Sequence, residues 1–461
     1  MLLDILPVSL RKYLKMSKRQ RKNEMQSTLW YMPMLYIGLA ILLVAVTLFL
    51  DLVVNVAPYT FEILHFNASV TRTLVSTLIG GILTLSAFTI NSLLVVLTTF
   101  SGQFSPRMLL NFTSDKQTQH ALGIFNGSFI YVLVLFLFIG SADNEVFVTV
   151  PLVTIALAFI AAVTFIYFIN HATTWMQVHN ITYSMKEVSE KIVYNTLRVE
   201  LEPYRTKEKG DLMEEGRKLA EQVKIETSGY LQLIHYRKMI EEARKDNIII
   251  ELHSQVGDYI LEGNVLYSFW GPGAKSVGRQ KYLQMVEMGH KETEIQDIQM
   301  GMHKLAEIAI KAVGNDDPKT ATNTIHKMTE LMLSIDSYIT FTPYLADENH
   351  QVRIIMKEET FEYYLYRGFG FIRHYAGDNH LIITEIISGL AMVADSIDSS
   401  KHEAIWKFGC NTLDHIENKL IYELDKTFLL QEFHKLASAT GNMDGYREIE
   451  KKFYPAANEN V

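Results

Sequence analysis

Cys410 is the only cysteine in 461 residues. No disulfide can close within the chain and no cysteine metal cluster can form, which suits a reducing compartment for the part that carries it. In the apolar run IWKFGCNTL the thiol reads as a small buried hydrophobe. Positive charge is also short: 43 Lys and Arg against 51 Asp and Glu leave a formal charge of −8, so nucleic acid is not an expected partner. Catalytic signatures are missing as well. No Walker loop, G-x-S-x-G, H-E-x-x-H or dinucleotide fingerprint occurs. RGFGFIRHYAG is glycine-rich, but its aromatic, helical pattern is a weak phosphate signal. A di-metal carboxylate site needs two E-x-x-H pairs on inward faces; Glu287 with His290 is one, and no second follows. No enzyme activity, cofactor or metal is expected.

The most telling absence is that of charge inside four long stretches between Trp30 and Phe168. A helix needs roughly 20 mostly apolar residues to cross hydrocarbon. Four stretches qualify: Tyr31–Val56, Val75–Phe100, Ala121–Ile139 and Val146–Phe168, with Asp51 near the outer end of the first. Buried helices of a soluble core would carry amphipathic stripes, whereas these stretches are apolar all round. Lys and Arg cluster before the first span (Arg11, Lys12, Lys15, Lys18, Arg19, Arg21, Lys22) and after the second (Arg107, Lys116). The third connection carries only acids, Asp143 and Glu145. Basic residues mark the inner side, so both termini are expected to be cytosolic. MLLDILPVSL lacks the apolar core and small-residue site of a cleavable signal. Residues 1–29 read as a basic cytosolic or interfacial segment against anionic lipid.

The second span carries Thr77, Thr84, Asn91 and Thr98 at seven-residue intervals, one face of a helix. An amide in hydrocarbon needs a partner or water, so this face is expected to meet another helix or a wet cavity. Polar glue between helices and the lining of a permeation path both fit. Gly80 and Gly81 permit close approach. The helical pattern runs on to Gln103, and Pro106 breaks it. Gln103, Ser105, Pro106 and Arg107 form a candidate inner-interface motif, the arginine free to snorkel or meet phosphate. Gly123 and Gly127 of the third span have small-xxx-small spacing and predict packing against the second. The fourth span runs on in helical pattern toward Pro203, with His171, Trp175 and His179 along the inner interface.

Beyond the spans the sequence predicts a helix continuing into the cytosol over 171–205, a small α/β, barrel-like module over 206–275 and a helical domain over 276–461. Val223–Ile234 is strand-like, His235–Asn247 helical, and the following run gives strands separated by turns at Val256-Gly257-Asp258 and Glu262-Gly263-Asn264. The module is similar to biotinyl-type modules but lacks their modified lysine. From Lys281 the chain reads as helical. Asp317 is the expected N-cap and Pro318 the first residue of one helix. Another turn is expected at Ala376-Gly377-Asp378. The fold class is thus an α-helical membrane protein, four transmembrane helices with a mainly α cytosolic domain containing a small β module.

Several segments resemble a bacterial membrane family known as domain of unknown function 2254. They are Leu29-Trp30-Tyr31-Met32-Pro33, Ser101 through Leu109 (SGQFSPRML), Ser228-Gly229-Tyr230-Leu231-Gln232, Val256-Gly257-Asp258 with Gly263, and Thr293 with Gln296-Asp297. The family tends to read Asn-Asp-Pro where this chain has Asp316-Asp317-Pro318. The resemblance implies an inner-membrane protein with four spans and a large cytosolic tail, and supplies no activity. Gln296, Asp297, Asp316, Asp317 and Pro318 become a candidate segment for a cytosolic ligand or protein partner. Two functions are carried forward. One is a homo-oligomeric ion or small-solute permeation protein in the bacterial inner membrane, regulated by its tail. The other is a membrane-anchored sensor or scaffold.

Overall fold

The computed structural model describes residues 28–103, 115–139, 146–278, 280–293, 295–414 and 422–454, plus Arg21, Glu24, Met25, Ile416 and Leu420. The chain forms two compact units, Met1–Asn180 and Ile181–Val461.

The first unit holds α1 (Tyr31–Leu48), α2 (Ala68–Gln103), α3 (Lys116–Phe138) and α4 (Thr149–Trp175). All four are long and apolar enough to cross a membrane. The 36 residues of α2 reach about 54 Å at 1.5 Å each, more than hydrocarbon alone requires. A π-turn, Phe49–Val54, extends α1. A two-residue ladder, β1 (Phe66–Asn67) against β2 (Val146–Phe147), closes one end of the unit. The core gathers Val44 of α1, Val75 and Ile82 of α2, Tyr131 and Leu135 of α3, and Val150 of α4.

Helix α3 is the most enclosed of the four, and its glycines explain part of this. A Cβ at Gly123 would overlap the Tyr36 ring, and one at Gly127 would lie 3.1 Å from the Tyr36 carbonyl oxygen. The small-residue face therefore seats α1, not α2 as its spacing alone predicted. Spacing identifies a face and leaves its partner open. The fourth helix also departs from expectation. It stops at Trp175, and Met176 and Gln177 form a non-helical break before α5 (Val178–Ile192) and a π-helical continuation, Val193–Leu201.

In the second unit a five-stranded sheet runs in the order β3 (Glu221–Lys224), β7 (Val265–Trp270), β5 (Ile249–Leu252), β10 (Val352–Ile355), β9 (Tyr344–Ala346). A three-stranded sheet runs β6 (Tyr259–Ile260), β4 (Gly229–Ile234), β8 (Val286–Gly289). The turn glycines lie where the sequence places them, Gly257 at φ +97° and Gly263 at φ +83°. Residues beyond Lys281 are not wholly helical: β8, β9 and β10 come from that stretch, and β10 pairs parallel to β5, Ile354 opposite Ile250. Helix α6 (Tyr236–Lys245) precedes β5. Helices α7 (Ile298–Gly314) and α8 (Pro318–Tyr338) form the expected hairpin. The Asp317 carboxylate caps α8, accepting from the Thr320 amide at 3.1 Å, with Pro318 at the first position. After α9 (Phe361–Leu365) and the Gly377 turn at φ +54°, α10 (His380–Ser396) and α11 (His402–Leu413) complete the part used below.

Candidate functional site

Two places bring together the polar residues that the sequence singles out. The first is the outer face of α2. Thr77, Thr84, Asn91 and Thr98 are all exposed, as are Gly80 and Gly81, while Thr71, Val75, Ile82, Ser86, Thr89 and Leu93 turn inward. Among the described residues the polar face meets no other helix. The threonine hydroxyls donate back along their own helix: Thr77 to the Thr73 carbonyl at 2.9 Å, Thr84 to Gly80 at 2.8 Å and Thr98 to Val95 at 2.9 Å. Such bonds satisfy a hydroxyl without a neighbour. The Asn91 amide has two donors and an acceptor and no partner among the described residues. Gln103 is the last described residue of α2; Ser105, Pro106 and Arg107 of the inner-interface motif lie outside the described residues.

Two other polar groups of the first unit are paired with each other. Asp115 caps α3 through the Thr118 amide at 3.0 Å and also holds the Nε2 of His171 on α4 at 2.8 Å. The His171 ring stacks on Tyr167 and meets Trp175 edge-on. His171 thus ties α4 to the start of α3.

The second place lies in the C-terminal unit, where segments far apart in sequence converge on β4. The Gln296 amide pairs with both peptide groups of Ile234, accepting from its N–H at 2.9 Å and donating to its carbonyl at 3.1 Å, and donates to Glu200 at 3.0 Å. The Val256-Gly257-Asp258 turn bonds the same strand: Leu231 N–H donates to the Asp258 carbonyl and Gly257 N–H to the Leu231 carbonyl. Next to this junction is a cavity of about 30 Å³ lined by Thr196, Tyr236, Gln255, Asp297, Glu359 and Tyr364 among others. A buried water needs roughly 10–15 Å³ of such space and two to four polar partners, so one or two waters fit and an organic solute does not.

Asp297 is 5 % exposed and caps α7, accepting from the Met300 amide at 3.2 Å. Burial pushes its carboxyl up to about 7, with the nearby acids Glu292 and Glu359 adding to the effect and the helix-start amides opposing it. A helix N-terminus normally favours an ionised carboxylate, and here desolvation outweighs that preference. Glu359 accepts from the Tyr364 hydroxyl at 2.5 Å, and burial raises its carboxyl as well. Sequence reasoning missed Glu359, Tyr236 and Gln255, which belong to other segments. Val256-Gly257-Asp258 and Gln296-Asp297 stand in the sequence as separate segments, with nothing that joins them.

Asp316, Asp317 and Pro318 stand at the far end of α7, whose 17 residues span about 25 Å, and share no cavity with Asp297. Asp316 takes a left-handed φ of 55°. Asparagine and aspartate tolerate that conformation better than most residues. Glu287, a metal candidate by its E-x-x-H spacing, instead bonds His235 at 2.8 Å. Among the described residues no group of three His, Cys, Asp or Glu side chains is placed to hold a metal. Cys410 on α11 is half-buried, and burial pushes its thiol up to about 11.

A family model described as predicted membrane protein (DUF2254) matches residues 26–392. Uncharacterized proteins of Mycobacterium bovis and Mycobacterium tuberculosis are 28 % identical over 320 residues, 66 % of this chain and 60 % of theirs. The chain thus spans about 60 % of the length of these relatives. No solved structure matches.

Proposed function

Because the chain belongs to the predicted membrane protein family DUF2254, we propose that it works in the bacterial inner membrane as a homo-oligomeric permeation protein for ions or small solutes. Several copies turn the polar face of α2 to a shared axis. The C-terminal unit lies in the cytosol with both termini, as the basic flanks favour, and regulates the path.

One observation carries this reading. Thr77, Thr84, Asn91 and Thr98 line the outside of the four-helix unit, so in a lone chain Asn91 would stand in hydrocarbon. An unpaired amide there is unfavourable. A polar contact between helices recovers about 0.6–2 kcal/mol, and water along a central path satisfies the amide fully. Four helices enclose too little space for a path of their own, which calls for closed symmetry around an axis. Gly80 and Gly81, with nothing within 4 Å of an added Cβ, let a second copy approach closely.

The test is flux through liposomes holding the purified full chain, with potassium, chloride and a small neutral solute as probes, together with particle images for subunit number. Wild type should conduct, and Asn91→Leu should cut flux by about tenfold, the effect of losing about 1.4 kcal/mol at a barrier. Asn91→Asp should shift preference toward cations. Membranes silent to all three probes, or single chains in the images, would end the proposal.

A further inference from the structure

We propose that the cavity at the start of α7 is a proton-responsive element of the C-terminal unit: a proton held on Asp297 or Glu359 keeps the start of α7 seated, and its release to solvent admits water and loosens that segment. The inference is independent of permeation.

Three features of the geometry support it. The two carboxyls come from separate segments and line one water-sized cavity of about 30 Å³. Tyr236, 5 % exposed, lines the same space, and its hydroxyl has no hydrogen-bond partner among the described residues, so it is available to a water or a carboxyl. Gly257 closes one side: at φ +97°, a Cβ there would lie 2.6 Å from Asp297 Oδ2, so backbone abuts the carboxyl.

Arg205 and Lys357 favour the ionised form of Glu359, but burial outweighs them. Arg205, across from Glu359, donates to the carbonyls of Thr340 and Thr342 at 2.8 and 2.6 Å, and Lys357 is paired with Asp258 at 3.2 Å. Glu200 beside Gln296 and Glu292 before α7 add negative field. Ionising Asp297 and Glu359 together places two like charges around one small cavity, which strongly disfavours the second ionisation. The carboxyl of Asp297, raised to about 7 by burial, sets the window near neutrality.

Hydrogen exchange on the purified full chain in detergent tests this, with exchange times scaled for intrinsic rate. From about pH 6 to about pH 8.5, peptides over Thr196–Leu201 and Gln296–Leu305 should lose about tenfold in protection. Asp297→Asn keeps the cap, since asparagine caps about as well as aspartate, and should stay protected throughout. Glu359→Gln removes the neighbouring charge and should move the transition to lower pH. A wild type indifferent to pH, an Asp297→Asn protein with an unchanged profile, or an unmoved transition in Glu359→Gln would each overturn the inference. So would protection that follows added calcium at fixed pH.

Discussion

Asp51→Leu should destabilise the spanning unit by about 3–5 kcal/mol, since leaving a buried donor unpaired costs about 1–3 kcal/mol. Asp51 is 6 % exposed and lies in the π-turn that extends α1. Its carboxylate accepts from the backbone amides of Val148 at 3.3 Å, Thr149 at 2.9 Å and Val150 at 2.8 Å. Those are first N–H groups of α4, whose own N-cap residue, Val148, offers no side-chain acceptor. Helix starts leave four amides without intrahelical partners, and in lipid no water replaces them. A residue of the first helix therefore caps the fourth. Asp51→Asn should lose roughly half as much, because one oxygen of the pair becomes a donor facing donors. Thermal unfolding of the detergent-solubilised protein, followed by aggregation, reads the order wild type, Asn, Leu. Equal midpoints for wild type and Asp51→Leu would remove the capping role.

Asp347→Ala should cost the C-terminal unit a similar amount, about 3–5 kcal/mol, by leaving a buried guanidinium unpaired. The side chains of Asp347 and Arg353 are 2 % and 5 % exposed and meet at 2.7 Å. Asp347 also accepts from the amides of Asn349 at 2.9 Å and Gln351 at 3.2 Å, which shapes the turn between β9 and β10. Arg353 reaches on to the Asn247 side chain at 3.1 Å, ahead of β5, with which β10 pairs. The pair thus ties the hairpin to the centre of the sheet. Replacing both partners, Asp347→Ala with Arg353→Met, should recover much of the loss, because the uncompensated charge is gone. Urea unfolding followed through the buried Trp270 measures all three proteins. A double variant no better than Asp347→Ala would refute this account. Burial works against ionisation of Asp347, but Arg353 and the turn amides outweigh it and hold the carboxyl below its usual range. A lowered carboxyl contributes stability above its unfolded value near pH 4, lost as pH falls through the folded value. The difference between wild type and Asp347→Ala should therefore shrink in acid.

The legible parts of the molecule are those whose cause is local. All-round apolar runs announced α1 to α4, and α2 was expected to reach Gln103 and is helical that far. Asp317-Pro318 started α8, and Gly257 and Gly263 stood in turns, because caps and left-handed turns depend on a few adjacent residues. The candidate site was legible only in pieces. Gln296 and Asp297 stood out, whereas Glu359, 62 positions further on, carries no signal linking it to them.

Bilayer-crossing length, cap chemistry and turn chemistry are sums over neighbours along the chain, and the sequence alone settles them. It could not say which side of each helix turns inward, since apolar residues ring all four and the polar face of α2 fits a neighbouring helix and water alike. Only packing put Gly123 and Gly127 on Tyr36 and left Asn91 outside. Nor could it pair Ile354 with Ile250 or set Asp51 on the start of α4. Those contacts join segments about a hundred residues apart, and their free energy exists only once the intervening chain has folded and brought them together.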